Sequence, residues 1–246
     1  MTESPHVSLI NDIVREDNEF SLDDDTSANN KRNLIGKVVC VGRNYAAHAT
    51  ELGNAVPTRP LLFIKPASSI ISLSDAIPSS IRDVPREKVY PVHYEAEFCI
   101  RLGQDLKSAS LEEVVSTTGL IEAVTLGLDL TLRDLQSELK EQGHPWERAK
   151  CFDGACVLAD WVDPLTFGDC SDVHYQLYIN DELKQDGKSA LMLFPVYELL
   201  AEISHAFSLQ AGDVIMTGTP SGVGILHAGD DLKLVLGAHE WQARVQ

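Results

Sequence analysis

The chain has 246 residues, with 20 Lys and Arg against 37 Asp and Glu, and a formal net charge of -17. Such a charge repels nucleic-acid phosphates and anionic membrane surfaces at long range, so neither is an expected partner. With 44% hydrophobic residues, a chain of this length can bury roughly 70% of its unfolded surface, which excludes disorder throughout. No apolar run approaches the roughly 18 to 20 residues of a bilayer span, and the start MTESPHVSLINDIVRED has neither a basic nor an apolar leader region. The sequence therefore reads as soluble and cytoplasmic. Its five cysteines, Cys40, Cys99, Cys151, Cys156 and Cys170, are odd in number and lack CxxC spacing, so reduced, mostly buried thiols are expected.

Residues 1–30 hold eight acids and the single basic residue Arg15, close to -7 of the total charge. The triple Asp23, Asp24, Asp25 reads as a solvated run, and HVSLINDIV and NEFSL carry short alternating patterns compatible with a small strand pair or a loose arm. Residues 1–33 are thus set apart as an acidic arm or small strand region, and 34–246 as the main domain. From Leu34, LIGKVVCVG predicts a strand, RNYAAHATELG a short helix closed by Gly53, and PLLFIKP a second strand. YEAEFCIRLG continues as a strand, and SASLEEVV opens a helix with a capping box, Ser110 standing three residues before Glu113. IEAVTLGLDL predicts a buried strand. TLRDLQSELKEQG places Leu132, Leu135 and Leu139 at helical spacing before Gly143. The last third predicts strands at HYQLYIND, DVIM, DLKLVLG and EWQARV around one amphipathic helix, FPVYELLAEISHAF. Strands dominate without a repeated βα alternation, so the class is α+β and strand-rich.

Charge inside apolar strands marks the chemistry. In a strand, Glu95 and Glu97 project to one face, with His93 on that face by the same count. Two carboxylates so close in a partly buried setting take up protons unless a cation neutralises them. Asp129 ends a second apolar run, where a charge is costly unless it is paired or used. Three carboxylates suit Mg2+ or Mn2+ better than zinc. The same acids could instead pair with Arg133 or Lys150 in a salt-bridge network, and the residues alone leave both readings open. His48 and Glu51, at i and i+3, place a carboxylate where it can orient an imidazole as a general base, although an exposed pair of this kind is common. The loop TGTPSGVG is not a phosphate-binding loop, because it lacks the Lys-Ser/Thr ending and opens no obvious helix.

The stretches CVGRNYAAHATEL, LFIKP, HYEAEFCIRLG, LDLTLRDLQ, GHPWERAKCFDGACVL and GDVIMTGTPSGVG, in this order between Val38 and Val245, resemble the fumarylacetoacetate hydrolase family, nearest its small acylpyruvase and oxaloacetate-processing branch. The resemblance implies a mixed β-roll of that family's C-terminal-domain type, with peripheral helices, and a homodimer. It implies Glu95, Glu97 and Asp129 as ligands of Mg2+ or Mn2+, His48 and Glu51 as a dyad on a lid segment, Lys150 as the active-site lysine and Gln136 as an oxyanion-side amide. It further implies that Arg43, Lys65, Arg133 and Thr219 line the substrate pocket, and it places Asn44 in the strand-to-lid motif.

The implied substrate is a small anionic 2-oxoacid, whose conversion passes through an enolate that the cation stabilises. Hydrolysis of the C3–C4 bond of acylpyruvates, giving pyruvate and a carboxylic acid, ranks first, because a water-activating dyad is wasted on simple decarboxylation. Keto-enol tautomerisation and decarboxylation of oxaloacetate are the alternatives, since all three share one enolate.

Overall fold

The computed structural model describes residues 35–53 and 55–246. The acidic segment 1–33, with its predicted strand pair and its triple aspartate, lies outside the described residues. The core is a seven-stranded mixed sheet that joins β2 (Leu61–Pro66), β1 (Lys37–Gly42), β12 (Val214–Met216), β7 (Ala96–Leu102), β8 (Ile121–Asp129), β9 (Cys156–Leu158) and β3 (Ile70–Ser72) in that order. Pairs β1/β12 and β3/β9 run parallel and the rest antiparallel. The central strands are buried on both faces, which is why VVCV and AVTLGLD read as unbroken apolar runs rather than alternating ones.

A second, antiparallel sheet orders β11 (Glu182–Lys188), β10 (His174–Ile179), β14 (Asp231–Leu236) and β15 (His239–Arg244). Here the alternation is clean: Tyr175, Leu177 and Ile179, with Leu232, Leu234 and Leu236, are buried while their neighbours are not. This inner face shares one apolar core with Phe98, Ile100, Leu126 and Leu128 of the larger sheet. The observed fold is the strand-rich α+β roll expected from the sequence.

Helices sit outside the strands. The predicted capping box forms at α2 (Leu111–Ser116), where the Glu113 amide donates to the Ser110 hydroxyl and the Ser110 amide donates back to the Glu113 carboxylate at 2.7 Å. In α5 (Val196–Ala206), Val196, Leu199, Leu200 and Ile203 form the buried stripe. The helix predicted at RNYAAHATELG is short: α1 spans only Ala46–Glu51 and is followed by Gly53 in left-handed backbone. A four-residue helix, α4 (Glu147–Lys150), was not foreseen; it follows α3 (Arg133–Glu141). The predicted strand YEAEFCIRLG is divided at Glu95, because β6 (His93–Tyr94) leaves to pair with β13 (Gly224–Ile225) while β7 pairs with β8 and β12. A separate two-stranded ribbon joins β4 (Ser80–Asp83) to β5 (Lys88–Pro91).

All five cysteines are free thiols, and Cys40, Cys99, Cys156 and Cys170 are buried. No described helix is long and apolar enough to cross a membrane. Leu126 is fully buried on β8, between the two sheets. Truncating it to alanine is expected to cost about 2–5 kcal/mol, read as a lower denaturant midpoint at unchanged m-value.

Candidate active site and metal centre

The site forms where β7 begins and β8 ends. Antiparallel register sets Ala96 against Leu128 and Glu97 against Gly127, and the Asp129 amide donates to the Glu95 carbonyl at 2.8 Å. Backbone pairing therefore brings Glu95, Glu97 and Asp129 together, with ligand oxygens within 4.8 Å of one another and all three side chains buried. They line one cleft of about 420 Å3, counting its open mouth, together with His48, Arg43, Arg133, Gln136, Lys150 and Thr219. Of the sequence-predicted site residues, Glu51 and Lys65 do not line it: Glu51 stands behind His48 and Lys65 is buried against Asp129.

Two ammonium groups hold the acids. Lys150, at the end of α4, spends its three hydrogens on Glu95 Oε2 at 2.8 Å, Asp129 Oδ2 at 2.8 Å and the Thr131 hydroxyl at 2.6 Å. Burial disfavours its charge, but Asp129 and Glu95 outweigh that and raise its pKa. Lys65 lies beneath the cleft, with 0% exposure, and donates to the carbonyls of Leu130, Lys150 and Ala155. Its nitrogen is 2.9 Å from Asp129 Oδ1, yet that oxygen receives no hydrogen bond, because all three ammonium hydrogens already have acceptors. Lys65, predicted to line the pocket, is instead a fully buried strut against Asp129, delivered by β2 at the edge of the same sheet.

Arg133 pairs with Glu95 and donates through Nη1 to Gln136 Oε1 at 2.9 Å, which turns the Gln136 NH2 away as a free donor at the cleft wall. Burial alone would raise the Glu95 pKa, but Lys150 and Arg133 hold the carboxyl well below the usual range. The salt-bridge network that the sequence left as an alternative is therefore present at Glu95 and Asp129. Glu97 differs. Burial, and then repulsion from Asp129 and Glu95, push its pKa well above the carboxylate range, and its hydrogen-bond donor among the described residues is the Gly218 amide at 2.7 Å. Gly218 has φ +105°, and a Cβ there would sit 2.7 Å from Asn44 Cβ, so only glycine lets this amide approach.

The dyad is formed. His48 is buried, and its Nδ1 donates to Glu51 Oε2 at 3.2 Å, while Glu51 Oε1 accepts from the Gly222 amide at 2.9 Å. With Nδ1 engaged as donor, Nε2 is left as the acceptor on a ring that lines the cleft. Thr219 also lines it, but its hydroxyl donates to the Ala96 carbonyl at 2.9 Å and accepts from Gln185. Asn44 fastens the turn that leads into α1 by bonding Thr217 and Phe194.

Sequence reasoning missed Gln185 and Lys140. Gln185 is a buried amide on β11 that bonds the Ala96 amide, Thr219 and Pro220, fastening the glycine loop to β7 across two sheets. No local pattern announces it. Lys140 was within reach: Arg133, Gln136 and Lys140 follow i, i+3, i+7 spacing on α3, and all three line the cleft.

The donor set fits a hard divalent cation. Three buried carboxylates converge, Asp129 Oδ1 lacks a hydrogen bond, and Glu97 has no cationic partner among the described residues. Oxygen-only ligation favours Mg2+ or Mn2+ over zinc.

A raised folded-state pKa at Glu97 contributes stability that is complete below its unfolded value, about 4.5, and is lost as pH rises through the raised value. The metal-free protein is therefore expected to lose thermal stability above about pH 4.5 more steeply than its Glu97→Gln variant. Saturating Mg2+ or Mn2+ should flatten the wild-type profile. Identical profiles for the two metal-free proteins would show that this carboxyl is not under the inferred repulsion.

Comparison with known proteins agrees with this geometry. Residues 37–245 match the model of the fumarylacetoacetate hydrolase C-terminal family. The oxaloacetate tautomerase YcgM of Escherichia coli K12 is 41% identical over 86% of this chain and 93% of its own. An oxaloacetate decarboxylase of Dictyostelium discoideum is 36% identical over 80% of this chain and 87% of its own. Among solved structures, the fumarylpyruvate hydrolase of Pseudomonas aeruginosa, in complex with Mn2+ and pyruvate, superposes with a TM-score of 0.76 at 30% identity, over 86% of this chain and 89% of that one. The chain belongs to the fumarylacetoacetate hydrolase family of enzymes.

Proposed function

We propose that this protein interconverts the keto and enol forms of oxaloacetate, with Mg2+ or Mn2+ held by Glu95, Glu97 and Asp129. The observation that carries the reading is the buried carboxylate trio beside an imidazole whose outward nitrogen is unencumbered. The name of the relative sharing 41% identity favours this reading over the acylpyruvate hydrolysis that the sequence alone ranked first.

In the forward direction, Nε2 of His48 takes a proton from C3 of the keto acid. The C–H electron pair forms the C2–C3 double bond, the C2 carbonyl pair moves onto oxygen, and the imidazolium gives its proton to that oxygen, leaving the enol and a neutral His48. Glu51 keeps the Nδ1 proton in place and stabilises the imidazolium. The free NH2 of Gln136 donates to the developing oxygen charge, while Lys150 and Arg133 keep Glu95 ionised and Lys150 holds Asp129 in position. A bound divalent cation supplies Lewis acidity that favours negative charge on the C2 oxygen. Lys65 and Thr219 act by holding the frame. A second copy of the chain as partner, and a cytoplasmic location, belong to the same proposal.

The dyad supports a second reading. His48 and Glu51 are equally suited to activating water for C3–C4 cleavage of an acylpyruvate, and a fumarylpyruvate hydrolase is among the similar structures. The Mg2+-loaded protein should be assayed on keto oxaloacetate, enol oxaloacetate and acetylpyruvate, following enol absorbance, CO2 and acetate in parallel. Tautomer exchange is expected to outrun both cleavages. His48→Ala should slow it by about 10²-fold or more, and Glu95→Ala should abolish it. Acetate release faster than exchange would establish the hydrolase instead, and dominant CO2 release the decarboxylase.

A further inference from the structure

Of the cations around the cleft, Lys150 and Arg133 are engaged by the acids. Arg43 and Lys140 also line it, and among the described residues neither forms an ion pair. Lys140 is half-buried, its ammonium 5.0 Å from the centre of the Trp146 ring. Burial, then the charges of Arg133, Arg43 and Lys150, push its pKa down to about 8. In a protein of charge -17, this is a local cluster of cations whose mutual repulsion an added anion would relieve. Arg43 stands at φ +60°, a left-handed conformation that costs a non-glycine residue energy, and it spends that strain at the cleft wall.

We propose that Arg43 and Lys140 receive a second carboxylate, so that the cleft selects four-carbon dicarboxylates carrying oxygen at C2 over the corresponding monocarboxylates. This rests on the oxaloacetate reading and makes it narrower: the carboxylate trio takes the C1–C2 end, and the free cations take C4. Acylpyruvates with an uncharged acyl group would leave both cations without a partner, whereas an acyl chain ending in a carboxylate would satisfy them.

Binding of stable probes separates this inference from the reaction itself. L-malate and (S)-2-hydroxybutanoate differ by a carboxylate in place of a methyl group, and neither undergoes keto-enol exchange or hydrolysis. Calorimetry on the Mg2+-loaded protein is expected to show malate binding about ten- to a hundredfold tighter. Lys140→Met should bring the two affinities within about threefold by weakening malate alone, and Lys140→Arg should restore the preference. Equal affinities in the wild type, no malate binding, or equal weakening of both probes by Lys140→Met would each overturn the proposal. A malate preference without oxaloacetate exchange would instead retain this anion site and remove the tautomerase reading. Exchange without the preference would do the reverse.

Discussion

The structure depends on keeping three carboxylates buried in one place. Ionised carboxylates withdrawn from water are stable only when each is paired or hydrogen-bonded, and removing one partner of a buried pair typically costs about 3–5 kcal/mol. Here Lys150 joins Glu95 to Asp129, and Lys65 supports Asp129 from below. Lys65 also binds the Lys150 carbonyl, so one ammonium group fixes the backbone that carries the other. Glu97 is left with a single amide donor. Buried charge is thus balanced by cations at Glu95 and Asp129 and not at Glu97.

That arrangement explains the topology around it. The lysines come from β2 and α4, segments separated by 85 residues, and the acids from the junction of β6 and β7 and the end of β8. The seven-stranded sheet brings these ends together, while the four-stranded sheet contributes Gln185, which secures the glycine loop whose amide meets Glu97. The second sheet thus closes the apolar core and fixes one wall of the site.

Much of this was legible in the sequence, and for a physical reason. Glu95, Glu97 and Asp129 stand out because charge in apolar strands is costly, so its presence signals use or pairing. The structure contains both, with a salt-bridge network at two acids and an unmet demand at the third. Lys65 was assigned to the correct neighbourhood but to the wrong side of Asp129, since a motif gives proximity without depth. Gln185 was illegible because its partners are distant in the chain. The reaction was the least legible feature: tautomerisation, decarboxylation and hydrolysis share an enolate, so the residues that stabilise it do not distinguish among them.

The double engagement of Glu51 has a mechanical consequence. One oxygen holds the His48 imidazole, and the other accepts the Gly222 amide from a loop 171 positions away. The carboxylate that sets the base's tautomer is therefore also the clasp between α1 and that loop. His48 and Glu51 both stand on α1, so displacing α1 would part Glu51 from the Gly222 loop while carrying the imidazole and its carboxylate partner away together. The Gly222 contact thereby ties the placing of the His48 ring at the cleft to the glycine-rich loop.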